Sequence, residues 1–193
     1  MPDNASSAAL AASVKILVAG GFGVGKTTMV SAISEIAPLR TEETITELST
    51  GIDDLSGVER KTTTTVALDF GRITLDESLV LYLFGTPGQD RFWFLWDELA
   101  RGALGAVVLA DTRRLENSFA AIDFFERRGL SFAIAVNCFD SSPAYTTDEV
   151  RDALDLDAHI PVVLCDARDR SSCKNVLVTL VEHLIDRAGS PVA

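Results

Sequence analysis

The run Gly20-Gly21-Phe22-Gly23-Val24-Gly25-Lys26-Thr27 has the spacing G-x-x-x-x-G-K-T. It follows the apolar stretch Val14–Ala19 and opens a segment, Lys26–Ile36, with helical periodicity. Strand, glycine turn and helix in that order make a phosphate cradle. The glycines let successive N–H groups converge on the α- and β-phosphates, and the helix adds its positive end. In such a loop Lys26 reaches the β- and γ-phosphates and the Thr27 hydroxyl ligates Mg²⁺. The expected phosphate contacts are Gly20, Gly23, Gly25, Lys26, Thr27 and, next in the first helical turn, Thr28.

Four further segments end or open apolar runs downstream of that loop. They are Thr65-Val66-Ala67-Leu68-Asp69-Phe70, Gly85-Thr86-Pro87-Gly88-Gln89-Asp90, Asn137-Cys138-Phe139-Asp140 and Cys165-Asp166-Ala167-Arg168. With the phosphate loop they resemble the motifs of the Ras-like small GTPases. That resemblance implies GTP and GDP as ligands, with Mg²⁺. Asp140 would accept from guanine N1–H and the exocyclic amine, Asn137 would brace the pocket, and the Ala167 N–H would meet guanine O6. Adenine presents the reverse polarity at those edges, and an unpaired polar group costs about 1–3 kcal/mol, so GTP is preferred over ATP. Thr65 would close on Mg²⁺ and the γ-phosphate, the Gly88 N–H would sense that phosphate, and Gln89 would orient the attacking water. The expected catalytic set is thus Gln89, Lys26 and Thr65, and the metal ligands are Thr27 and Thr65.

The chain departs from the family pattern at several points. Gly85 stands where the family has the aspartate that holds Mg²⁺ through water, Cys138 where a lysine covers the base, and Pro87 where alanine is usual. Phe22 stands third in the phosphate loop, where Ras proteins carry glycine and a partner's arginine enters. Arg60 and Arg91 are the intramolecular candidates to replace that arginine. In Arg91–Leu99 the residues Phe92, Leu95, Trp96 and Leu99 share one helical face, which leaves Trp93 and Phe94 for a partner or for packing elsewhere. Asp111-Thr112-Arg113-Arg114 is expected as a loop and helix cap.

Six apolar runs position these groups: Val14–Ala19, Thr65–Asp69, Leu79–Phe84, Ala106–Ala110, Phe132–Asn137 and Pro161–Cys165. Helical segments are expected at Lys26–Ile36, Phe92–Arg101, Ser118–Arg128, Asp148–Leu154 and Ser171–Arg187. Thr146 and Glu149 have the spacing of a capping box before the fourth. Alternating strands and helices predict a doubly wound α/β domain with a six-stranded, mostly parallel sheet and ligand loops at the strand carboxyl ends. Gly71–Ser78 is too short for a crossover helix, so one strand is antiparallel. Ala37–Thr64 has no clear period and is expected as a long functional loop. Residues 1–12 form a tail and 13–189 the single domain.

Length and charge narrow the partners. The chain has 193 residues and a net charge of −11, which opposes binding to nucleic acid or an anionic bilayer. No apolar run approaches the roughly 18 residues of a membrane span. Three cysteines without metal-ligand spacing suit a reducing cytoplasm, and neither terminus carries a lipidation motif, so no direct membrane anchor is expected. The wording of the motifs is similar to bacterial, MglA-like GTPases of the actinobacterial conservon type. That likeness implies a switch working with a roadblock-type regulatory protein and a sensor-kinase-like membrane protein. Two alternatives stay open: a guanine-nucleotide-binding scaffold with little hydrolysis, and a P-loop kinase acting on a small molecule.

Overall fold

The computed structural model describes residues 12–37, 39–46, 63–88, 94–140 and 142–189. Strands β1 (Ala12–Gly20), β2 (Leu39–Thr46), β3 (Thr63–Asp76), β4 (Leu79–Gly85), β5 (Ala103–Ala110), β6 (Phe132–Asn137) and β7 (Val162–Cys165) form one sheet. Its order is β2-β3-β4-β1-β5-β6-β7. Helices α1 (Lys26–Ile33), α2 (Phe94–Ala100), α3 (Phe119–Arg128), α4 (Thr147–Ala153) and α5 (Arg170–Gly189) cover it. β1 pairs in parallel with β4 and β5, and β3 alone runs against its neighbours. This is the expected doubly wound α/β sheet with one antiparallel strand.

β1 shows why both faces are covered. Ile16 and Val18 join a core with Met29 and Ile33 of α1 and Leu177 and Leu180 of α5. Leu17 and Ala19 join the opposite core with Trp96, Phe125 and Val150. Alternate side chains of one strand are thus buried on opposite faces, which gives a continuous apolar run instead of an alternating one. Trp96 stacks near Phe125 and donates its indole N–H to the Pro87 carbonyl at 3.1 Å, tying the loop after β4 to the α2–α3 core. The capping box forms: Glu149 N–H donates to Thr146 Oγ1, and Thr146 N–H to Glu149 Oε2. No helix among the described residues is long and apolar enough to cross a membrane.

Several element ends shift by two or three residues, α1 ending at Ile33 instead of Ile36 and β5 starting at Ala103 instead of Ala106, and two differences are larger. β3 runs on to Asp76, because Gly71 and Ile73 point into the core while Arg72 and Thr74 point out, an alternation that continues the strand. Leu39–Thr46, expected within a loop, adds a seventh strand at the sheet edge, pairing antiparallel with Thr63–Phe70. The register explains it: β4 ends opposite Asp69, so the first residues of β3 extend past β4 and find their backbone partners in β2. The outcome is a two-stranded ribbon that overhangs the carboxyl end of the sheet.

Candidate functional site

β1, β4, β6 and β7 run parallel and end on the same side, so the loops after them converge. The phosphate loop leaves β1 at Gly20 and enters α1 at Lys26. Gly25 precedes the helix with φ 107, and a Cβ there would stand 2.6 Å from Asn137 Nδ2. Only glycine fits that backbone conformation and that space. Lys26 is 8% exposed and donates to the Gly20 and Gly21 carbonyls at 2.9 and 2.7 Å. Burial lowers its ammonium to about 8, while the nearby Asp69 carboxylate pulls it partly back. Gly88 reaches the same place from β4, since a Cβ on it would meet Lys26 Nζ at 2.5 Å. Thr28 is exposed on the first turn of α1.

Asn137 joins this loop to the two that follow β6 and β7. Its Nδ2 donates to the Val24 carbonyl at 2.9 Å, and its Oδ1 accepts the Ala167 N–H at 3.0 Å; both bonds are buried. Asn137, expected to brace the pocket, thus bridges the phosphate loop and the loop after β7. The Ala167 amide, expected to face a purine oxygen, is engaged by that bridge in this structure. Asp140 is 85% exposed at the mouth. Arg168 donates to both of its oxygens, at 3.0 and 3.3 Å, and also to the Asp166 carboxylate. These hydrogen bonds hold the Asp140 carboxyl below its ordinary range and bring Asp166 to about 2. Of the cysteines, Cys138 is exposed, whereas Cys165 and Cys173 are buried.

Gly85 supplies no carboxylate, but the strand across from it does. Asp69 of β3 lies directly opposite Gly85 in the antiparallel ladder. Its Oδ2 accepts from the Thr27 hydroxyl at 2.5 Å. A Cβ on Gly85 would lie 3.0 Å from the Asp69 Cβ and 3.2 Å from Oδ2, so an aspartate at 85 would crowd Asp69 and need it to give by a few tenths of an ångström. The next residue, Thr86, is buried and its Oγ1 has no hydrogen-bond partner. A carboxylate, a threonine hydroxyl and an unpaired buried hydroxyl are hard oxygen groups, the set that Mg²⁺ takes with water and phosphate. The residues fit the ion, with Thr27 and Asp69 as the groups that would hold it. Asp69 is a candidate ligand to which the motif comparison gives no role.

Thr65 sits in the overhanging part of β3, in register with Thr44. It lies four positions before Asp69, roughly 13 Å along a strand. Gln89, Arg60, Arg91, Phe92 and Trp93 lie outside the described residues. Phe22 is 66% exposed on the phosphate loop, and Phe94 is exposed on α2, as the helical face predicts.

Known proteins place this arrangement. The G domain of the FeoB iron transporter of T. maritima superposes with a TM-score of 0.59 at 20% identity, over 92% of this chain and 99% of that one. The GDP form of the cytosolic domain of the same transporter gives 0.64 at 18% identity, over 90% of this chain and 64% of that one. Among relatives by sequence, an uncharacterized protein of Methanocaldococcus jannaschii is 28% identical over 137 residues, 70% of this chain and 76% of its own. The fold is thus that of a P-loop G domain. A family model matches residues 18–187, from the end of β1 through most of α5, and by that match the chain belongs to the family described as conserved hypothetical ATP-binding proteins.

Proposed function

We propose that the chain is a guanine-nucleotide switch that binds GTP and GDP with Mg²⁺ and hydrolyses GTP slowly. The observation that carries this reading is the Asn137 bridge, which locks the loop bearing Lys26 to the loops bearing Asp140 and Ala167. A phosphate cradle and a purine-edge carboxylate are thereby parts of one rigid site. Asp140 selects guanine, because its two oxygens accept two parallel N–H groups that adenine lacks. Arg168 gives up Asp140 when the base enters and keeps its second partner, Asp166. Lys26 exchanges two loop carbonyls for phosphate oxygens, which is why a buried ammonium is tolerated there. Mg²⁺ neutralises charge on the β- and γ-phosphate oxygens. Gln89 orients water for attack, and Thr65 and Gly88 report the γ-phosphate by ordering around it. A roadblock-type regulator and a sensor-kinase-like membrane protein are the partners this reading expects.

The test is binding of fluorescent GDP and ADP to the nucleotide-stripped chain, with Asp140→Asn beside it. Guanine should bind at least tenfold tighter than adenine. In Asp140→Asn one acceptor becomes a donor, so guanine affinity should fall and xanthine affinity rise. Equal affinity for GDP and ADP would return the site to the adenine ligand that the family's description suggests.

A further inference from the structure

The segment after β5 carries another cation to the phosphate loop. Asp111, the first residue past the strand, is 4% exposed. Arg113 grips its carboxylate through Nε and Nη2 at 2.9 and 2.8 Å, and lays its guanidinium over the Phe139 ring at 4.0 Å. Arg114 is placed differently. Its Nη2 stands 3.6 Å from Asp111 Oδ2 with the side chain 49% exposed, and the same atom lies 3.7 Å from where a Gly23 Cβ would be. Asp111, Arg114, Asn117 and Ser118 face Gly21, Phe22 and Val24 directly. The fit is close enough that a Cβ on Gly21 would lie 2.8 Å from Asn117 Cβ.

Charge gives this placement its meaning. Arg113 and Arg114 share the single Asp111 carboxylate, so these three groups together carry one net positive charge beside the loop. The N–H groups of a left-handed glycine turn carry partial positive charge, and Gly23 has φ 73. A guanidinium at that flank adds its attraction for an anion to that of the loop's own N–H groups. We propose that Arg114 is a phosphate-contacting residue, pinned by Asp111 at the Gly23 flank of the loop and donating to the phosphate chain from outside the cradle. The inference rests on the nucleotide reading above and adds to it a contact from a segment that the motifs do not include.

The experiment uses the full chain, stripped of nucleotide, with fluorescent GDP, a non-hydrolysable GTP analogue and inorganic triphosphate as probes. Arg114→Ala should weaken all three by about tenfold, the scale of a lost charge-assisted contact, and should flatten the salt dependence of binding. Arg114→Lys should recover part of the affinity, since it keeps the charge without the fork. Arg127→Ala, which removes a charge from the exposed side of α3, should bind as the parent does. Unchanged melting of ligand-free Arg114→Ala would separate lost binding from lost folding. The proposal is overturned if Arg114→Ala binds every probe within twofold of the parent, if Arg127→Ala weakens binding equally, or if the weakening follows a lowered melting temperature. A parent chain that takes up none of the probes would sink the nucleotide reading and this one together; a parent that binds while Arg114→Ala matches it sinks this one alone.

Discussion

Asn137→Ala is the sharpest test of how the site is held. The substitution deletes two buried hydrogen bonds at once and leaves the Val24 carbonyl and the Ala167 N–H facing each other across the gap. An orphaned buried backbone group costs about 1–3 kcal/mol, so the pair should cost about 4 kcal/mol in all. For a domain of this size each kcal/mol lowers the melting temperature by about 2–4 °C, which gives a drop of roughly 8–16 °C. Calorimetric melting of the nucleotide-free chain measures it. Asn137→Asp is the companion: it keeps the acceptor for Ala167 but sets an oxygen against the Val24 carbonyl, so it should destabilise as much or more. A midpoint for Asn137→Ala within about 2 °C of the parent would refute the view that this side chain holds the three loops together.

Three further outcomes are expected. Between its ordinary value of 10.5 and the value of about 8 to which burial lowers it, Lys26 is neutral in the folded, ligand-free chain and protonated in the unfolded one. The unfolded state then binds more protons, so stability rises with pH across that window; the penalty, about 3 kcal/mol, is fully present below pH 8. Urea unfolding of the parent and of Lys26→Met from pH 7.5 to 10.5 should diverge by about that amount, and parallel profiles would contradict it. Gly25→Ala forces φ 107 on an L-residue and drives a methyl against Asn137 Nδ2; it should cost about 1–3 kcal/mol of stability and reduce GDP affinity at least tenfold by titration. Asp69→Ala should raise the Mg²⁺ concentration needed to retain GDP at least tenfold while leaving Mg²⁺-free affinity within threefold. A chain whose Mg²⁺ dependence is unmoved by that change does not use Asp69 as a ligand.

The parts readable in the sequence are those written in short-range signals. The phosphate loop, the capping box at Thr146 and the strands buried on both faces each declare themselves within a dozen residues. Asn137 and Lys26 were recognisable for the same reason. β2 was not, because a strand that contributes backbone pairing at an edge requires no apolar period, and Leu39–Thr46 shows none. Arg168 carries no signal beyond its place in a motif, yet it occupies the carboxylate expected to meet the base; contacts between two loops after different strands leave no trace in local spacing. Asp69 was visible as a letter but not as a ligand. The hairpin register that sets it across from Gly85 depends on where the turn falls, and β3 runs further than its apolar pattern suggests.

The pairing of Asp69 with Gly85 across the ladder bears on where a second acid can be placed. Two rungs of one ladder are interchangeable as suppliers of a negative charge, provided that the residue across is small enough to yield the room. An acidic residue introduced at 85 would therefore be accommodated only as far as Asp69 can turn aside, and shortening residue 69 would make the room that a second carboxylate needs.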